Sequence, residues 1–491
     1  MNKATTEKLR FDLAVIGSGV SGLSAALTAA EGGARVILFE KQRSFGGTSN
    51  FFEGTFAVES ELQREKYITY SRDEAFKAIM EYSHWRANAR LVRAIVDESA
   101  ETISWLLHQG VAFSDITINM PDEPRTYHVP NGRGEAIVKV LVEKAKEMGV
   151  DMRPAAPVKK IFKEGNMIKG VIFEAEDEEK HAQAGAVMIA SGGYTNNKAW
   201  IKKYTGFDLE INLIPFGNVD KVGDGIRMAW EVGAAEEGVD VLELYRIGPL
   251  GPHFSQKSPI ELIAIQPDLW VNQQGERFCD EGIAFYETSV GNANARHKEG
   301  YTYSIFDESI KQQVIEKGTV KSEGQDKPPG TRPVDFDKEF QAALKEGSTE
   351  IFEADSLEEL AKKINIEPAV LNSTVDEYNR FCAKGHDDLF AKDPRYLRPL
   401  VRPKFYAVKA HTVSLGTIGG IKINHRMEVV DKKGNIIPGL YAGGYDAGGM
   451  YGDSYSIRES SGLSSAFAMN SGRIAGKNVL KFLDIHQAQK T

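Results

Sequence analysis

The sequence predicts an α/β fold interrupted by an inserted α+β portion. Three observations carry this: a glycine-rich strand-to-helix turn near the start, two later apolar runs that also end in glycines, and a change of composition between those two. The first turn is FDLAVIGSGVSG at 11–22, an apolar run leading into Gly17, Gly19 and Gly22, then a helical stretch and a second apolar run, 35–39, closing on Glu40. In a βαβ unit Gly17 permits the tight turn, Gly19 lets the backbone approach a pyrophosphate, and Gly22 lets the helix pack close to its strand. The helix N-terminus adds free N–H groups and the positive end of a dipole. Glu40 falls near the ~20-residue offset of a carboxylate that accepts ribose hydroxyls, so the unit reads as a dinucleotide site.

The remaining elements follow from periodicity and punctuation. Residues 73–110 are expected to be helical, because Leu91, Ile95, Ile103 and Leu107 recur at three- and four-residue spacing. Segment 132–149 repeats the pattern with Ile137, Leu141 and Ala145 and stops on Gly149. Segments 158–173 and 186–189 read as strands, the second delivering the turn Ser191, Gly192 and Gly193, and 222–225 opens a helix to 234. Across 245–267 Gly and Pro rise and the period is lost, marking the start of a second domain. That domain is expected to hold the segment 269–272, a turn at 273–275, a helical reach from Phe285, a charged loop at 321–333, and helices at 336–345 and 357–384. Segments 406–410, 419–423 and 439–444 resume strand character, and 462–483 forms the last helix. The expected division is 1–242, 243–405 and 406–491, with the two end segments folding together and a ligand cleft at the boundary.

Composition narrows the partners. The chain has 491 residues, 42% hydrophobic and 26% charged, with a net charge of −9. No basic excess is available to release counterions from nucleic acid. No signal-type apolar segment or arginine-rich presequence precedes the first strand, which places the chain in the cytoplasm, and no run reaches the ~18 apolar residues of a membrane span. Cys279 and Cys382 form neither a redox pair nor a haem-attachment motif, and no metal site is expected.

Four further motifs point to a family. VNQQGERFCDE at 271–281 resembles a VN-x-x-G-x-RF-x-x-E signature, GTIGGIKIN at 416–424 a T-x-GG strand, and GLYAGG at 439–444 and GRIAG at 472–476 complete the pattern. Together with the glycine turns, the chain resembles the soluble fumarate reductase flavoproteins, a family that includes succinate dehydrogenase flavoprotein subunits, urocanate reductase and 3-ketosteroid Δ1-dehydrogenases. The resemblance implies a Rossmann-like FAD-binding domain of the GR2 type with an inserted α+β capping domain. It also implies hydride transfer between flavin N5 and an activated carbon–carbon bond. Carried over by position, FAD contacts fall at Gly17, Gly19, Ser21, Gly22, Glu40 and Lys41, then at Gly46, Gly47, Thr48, Ser49 and Gly54. Further contacts fall at Val158, Ser191, Gly192, Asp224, Tyr445 and Asp446, and at Ser461, Gly462, Leu463 and Ser464 beside the isoalloxazine, where the serines serve equally as helix N-caps. Members with covalent flavin carry a histidine soon after the GG-[ST] turn. This chain has Asn50, Phe51 and Phe52 there, so FAD is expected to be noncovalent. Without haem motifs, electrons must be exchanged with an external NAD(P)H, flavin or redox protein.

The catalytic positions depart from the family pattern. No arginine follows Glu281 within the reach where the proton-donating arginine belongs, Gly416 replaces the histidine before T-x-GG, and no capping-strand histidine stands at 246–249. Tyr286 is the candidate general acid, a phenol of ordinary pKa ~10 able to protonate a carbanion-like centre, or else a packing tyrosine. Tyr455 and Arg458 lie in GGMYGDSYSIRESSG; Arg458 either holds a carboxylate or carbonyl or pairs with Asp453 or Glu459. Phe285, Thr417, Gly419 and Tyr451 are the candidate substrate contacts. Tyr245, Phe254 and Trp270 add aromatic surface that favours a flat substrate over a small diacid, and His411 either faces the pocket or is structural. The expected activity is FAD-dependent reduction of a carbon–carbon bond conjugated to a carbonyl or carboxylate. A 3-ketosteroid-type dehydrogenase and a non-catalytic electron-transfer subunit are the alternatives.

Overall fold

The computed structural model describes residues 9–118, 121–217, 219–455 and 460–488. Its contacts separate two compact units: Met1–Gly206, Gly217–Glu243 and Gly416–Thr491 form one, and Phe207–Phe216 with Leu244–Leu415 form the other.

In the first unit, strand β1 (Leu9–Ile16) leads into helix α1 (Val20–Glu31) and strand β2 (Val36–Phe39). β1 pairs in parallel with β2 on one edge, Leu13 opposite Val36 and Ile16 opposite Phe39, and with Glu178–Ile189 on the other. Asp151–Arg153 extends the parallel sheet beyond β2, and Ile436–Ala442 extends it beyond Glu178–Ile189. The antiparallel strands Val158–Glu164 and Met167–Ala175 join the start of Glu178–Ile189. All four β2 side chains are buried, the continuous apolar run expected of a parallel strand covered on both faces.

α1 is buried along its whole length from Val20 to Ala30 because the terminal helix Leu463–Ala488 packs directly on it. The GRIAG motif makes that approach possible: a Cβ on Gly472 would stand 2.2 Å from the Ser21 carbonyl oxygen. The helical reach expected at 73–110 divides into Arg72–Tyr82 and Ala89–Gln109. A Ser71–Glu74 capping box starts the first, and the Asn88 side chain, accepting from Leu91 N–H, starts the second.

The second unit is a mixed sheet with its own apolar core. Tyr301–Asp307 pairs antiparallel with Leu269–Val271 and with Phe405–Thr417; the latter also takes Ile351–Ala354 antiparallel and Ile214–Pro215 parallel, and Leu242–Ile247 joins it. Because Phe405–Thr417 is one continuous strand of this sheet, residues up to Leu415 group with the second unit rather than stopping at 405. Phe306, Phe336, Phe340, Tyr378 and Tyr406 fill the core. The stretch 357–384 is two helices, Leu357–Lys363 and Pro368–Lys384, with Pro368 opening the second. The stretch 245–267, expected to be irregular, contains the end of Leu242–Ile247 and the short helix Pro259–Ala264, capped by Ser258. Lys321, at the start of the expected charged loop, is buried and paired with Glu323 at 3.1 Å. Among the described residues, no helix is long and apolar enough to cross a membrane.

Candidate active site

Close backbone approach builds the first glycine turn. Gly17 has φ of +101°, and a Cβ there would lie 2.2 Å from the Ala190 carbonyl oxygen; one on Gly22 would lie 2.0 Å from the Gly17 carbonyl oxygen. Neither position accepts a side chain. α1 starts with Gly19 as N-cap and no capping side chain of its own, and Val20 N–H donates to Ser49 Oγ at 3.0 Å. Glu40 is buried at the end of β2, accepting from Ser18 N–H at 3.1 Å, the Ser18 hydroxyl at 2.6 Å and Gln42 N–H at 2.8 Å. The Ser18 hydroxyl accepts from Gly46 N–H at 3.0 Å, which draws the short helix Gly47–Asn50, with Thr48 and Ser49, toward the turn.

The other two glycine turns lock onto each other. Asp446 is buried, and its carboxylate accepts from the backbone N–H groups of Ser191, Gly192 and Gly193 and from the Ser191 hydroxyl. Burial nevertheless raises its pKa above the usual carboxylate range. Ser191 Oγ also accepts from Gly225 N–H at 3.2 Å, and Lys41 pairs with Asp220 and Asp224 at 3.0 Å each. Ser191, Asp224, Asp446 and Lys41, expected as cofactor contacts, thus all have protein partners that shape the cradle. Ser21 Oγ lies 3.5 Å from Ser471 Oγ, Val158 is buried at the start of its strand, and Gly54 faces the Tyr127 ring and accepts from the Ser465 hydroxyl at 2.8 Å.

A cluster of phenols occupies the same unit. A Cβ on Gly416 would lie 2.3 Å from the Tyr445 ring, so that ring fills the space a side chain before T-x-GG would need. The Tyr445 hydroxyl donates to the Glu243 carboxylate at 2.5 Å, and the Lys221 ammonium lies 5.6 Å from the ring centroid. Glu243 and Lys221 are each 4% exposed. Burial pushes Glu243 up to about 7 against the Tyr445 hydrogen bond and Lys221, and pushes Lys221 down to about 8 against Glu243 and Asp446. Tyr451 and Tyr455 meet edge to face, with ring centroids 5.4 Å apart, and the Tyr455 hydroxyl accepts from Ser464 N–H at 3.2 Å in the first turn of the terminal helix. The Tyr451 hydroxyl is buried and has no hydrogen-bond partner among the described residues.

Several expected contacts are held by the fold itself. Thr417 is fully buried, its Oγ1 accepting from Tyr194 N–H at 2.8 Å and its N–H donating to Thr195 Oγ1 at 3.1 Å. Gly419 packs against the Gly238 carbonyl, Gly462 and Leu463 lead into the terminal helix against Thr55 and Phe56, and Ser461 is buried. Arg458 lies outside the described residues; Asp453, one alternative partner for it, pairs with Arg86 at 2.7 Å. Glu243 and Lys221 were not anticipated, since neither belongs to a motif. Their one signal in the sequence is Gly416, a glycine where a neighbour must supply bulk.

In the second unit the signature residues hold one another. Arg277 bonds Glu281 twice, at 2.8 and 2.7 Å, and Asp387 at 2.8 Å, while Lys392 approaches Glu281 at 3.3 Å. Tyr286 is half-buried at the N-cap of the helix Glu287–Ala295, and the Phe285 ring lies 5.2 Å from that of Tyr396. Trp270 is buried beneath the Arg246 guanidinium at 4.1 Å, and the Tyr245 hydroxyl donates to Glu323 at 2.7 Å, so these two aromatics serve the interior. His411 pairs with Glu350, which supports its structural reading. Cys279 and Cys382 are free, with burial raising both thiols.

Comparison with known proteins decides the family. The profile of the FAD binding domain family matches residues 12–458, nearly the whole chain. This chain belongs to the FAD binding domain family. The flavoprotein is 34% identical over 481 residues to the vinyl phenol reductase of Lactiplantibacillus plantarum, covering 96% of this chain and 97% of that one. It is 26% identical to a fumarate reductase (cytochrome) of Shewanella frigidimarina, over 96% of this chain and 77% of that one. Its fold matches the crystal structure of 3-ketosteroid delta1-dehydrogenase from Sterolibacterium denitrificans with a TM-score of 0.80 at 18% identity, over 96% of this chain and 99% of that one. It is an FAD-dependent oxidoreductase. The residues fit the cofactor: two glycines that exclude a Cβ, a helix N-terminus opened by Gly19 that would suit a pyrophosphate, and a buried acid at the end of β2 that would suit the ribose.

Proposed function

We propose that this flavoprotein reduces a carbon–carbon double bond conjugated to an aryl ring or a carbonyl. The carrying observation is the Tyr445 ring lying over Gly416, which leaves no room for the carboxylate-binding histidine of the fumarate reductases. Similarity to vinyl phenol reductase supports an aryl-bearing substrate. The α1 turn and Glu40 would hold FAD. The cofactor is noncovalent in this reading, since Asn50 stands after the glycine turn and donates to the Phe45 and Gly47 carbonyls. Reduced flavin supplies the hydride, from an external donor, and Tyr286 donates the accompanying proton. The enzyme works in the cytoplasm.

The test is anaerobic. The holoenzyme is reduced with dithionite and mixed with 4-vinylphenol, enones, enoates and a 1,4-diene-3-ketosteroid. Reoxidation of the flavin by a conjugated alkene, faster than by buffer, is the expected result; no reoxidation by any acceptor refutes the reading. Preference for the steroid would support the 3-ketosteroid reading instead, favoured by the fold match and the phenol cluster. Tyr286→Phe should slow turnover at least tenfold with FAD still bound, and a normal rate would remove Tyr286 from the mechanism.

A further inference from the structure

Three observations in the first unit converge on the head group of the substrate. The Tyr445 ring stands where the fumarate reductases place a histidine for a carboxylate, so Tyr445 occupies the head-group position. Its hydroxyl is bonded to a buried carboxylate, Glu243, and not to a cation. A short Tyr–Glu bond offers a substrate hydroxyl an acceptor backed by a base, and repels a carboxylate. The Tyr451 hydroxyl in the same cluster is buried without a partner among the described residues, a donor whose bond remains to be made to a ligand oxygen.

Resting on the reading of the flavoprotein as a double-bond reductase, we infer that Tyr445 and Glu243 are its specificity device, binding and ionising a phenolic hydroxyl conjugated with the double bond and excluding carboxylates. In the step this implies, the substrate O–H passes its proton to Tyr445 as Tyr445 passes its own to Glu243. The phenolate pushes electrons through the ring, the C=C π bond breaks, and the terminal carbon takes a proton from the general acid. Reduced flavin, when bound, would supply the hydride for the benzylic carbon of the resulting quinone methide, and the product oxygen recovers its proton from Tyr445. One hydride and one proton are added in all. The charged and titratable groups facing Glu243 and Tyr445 are Lys221, Asp446, Tyr451 and Tyr455. Burial places the Glu243 pKa at about 7, so the pair can both give and take a proton at neutral pH.

The experiment follows reoxidation of the dithionite-reduced holoenzyme by 4-vinylphenol, 4-methoxystyrene and cinnamate from pH 5.5 to 9. Wild type should react with 4-vinylphenol at least a hundredfold faster than with the methoxy ether or the carboxylate. Glu243→Gln should slow 4-vinylphenol at least tenfold and abolish the ionisation near pH 7, and Tyr445→Phe should slow it further. Flavin content and the rate of dithionite reduction report that both variants remain folded. Equal rates with 4-vinylphenol and 4-methoxystyrene, or an unchanged rate and pH profile in Glu243→Gln, overturn the inference. Rapid reaction with cinnamate alone overturns it while leaving double-bond reduction intact, and no reaction with any acceptor overturns both.

Discussion

At Gly416 the absence of a side chain decides the chemistry of a neighbour. The Tyr445 ring occupies the vacated space and, through its hydroxyl, brings Glu243 into the same cluster. Restoring the family residue should therefore be destructive: Gly416→His forces a ring into carbon atoms 2.3 Å from its own Cβ. Overpacking of this kind costs ~1–3 kcal/mol, so the variant should melt several degrees below wild type and lose flavin on gel filtration. An unchanged melting temperature would show that Tyr445 moves aside freely. Asp446 makes a related point, because its four hydrogen bonds all go to the turn at 191–193, and a carboxylate that looked like a ligand contact is the clasp between two turns.

Among the elements, the RF-x-x-E signature acts as an ionic clasp for the second unit. Glu281 accepts two of the three guanidinium bonds of Arg277 and lies 3.3 Å from Lys392, all of them buried. Glu281→Ala would leave two buried cations short of their shared anion, a loss of about 3–5 kcal/mol. Urea denaturation followed by flavin release should show it, and a loss under 1 kcal/mol would mean that water or Asp387 compensates. The βαβ unit was legible because steric rules fix its glycines locally, and Gly17, Gly22 and Glu40 stand where the spacing places them. The breaks before Asn88 and Pro368 were not, since apolar periodicity runs through a cap without registering it. The strand Tyr301–Asp307 was missed for a different reason: its partner Phe405–Thr417 lies far along the chain. The same holds for Lys221, Glu243 and Tyr445, which only the fold brings together.

For the whole molecule, two buried groups set opposing pH dependences. Glu243 has its pKa raised by burial from 4.5 to about 7, so the folded state holds its proton longer and stability falls as pH rises between those values. His128, buried and bonded to Ser60 and Thr126, has its pKa lowered by burial from 6.5 to about 4, so stability is lost as pH falls through that window. Buried Glu261, also raised to about 7, adds to the Glu243 slope. From pH 4 to pH 7 the stability of Glu243→Gln relative to wild type should therefore rise by on the order of 1–3 kcal/mol, read from urea midpoints; a pH-independent difference would refute the assignment. The sheet built on β1 also sets an order of manufacture. β1, α1 and β2 leave the ribosome long before the helix that covers α1, Leu463–Ala488. At ~5–20 residues per second the nucleotide-binding turn waits roughly 20–90 s with the face of α1 at Ser21, Ser24, Ala25 and Thr28 uncovered. The flavin cradle is thus completed only once Leu463–Ala488 has been made, and the nascent chain meanwhile presents an uncovered helix face that a chaperone can hold.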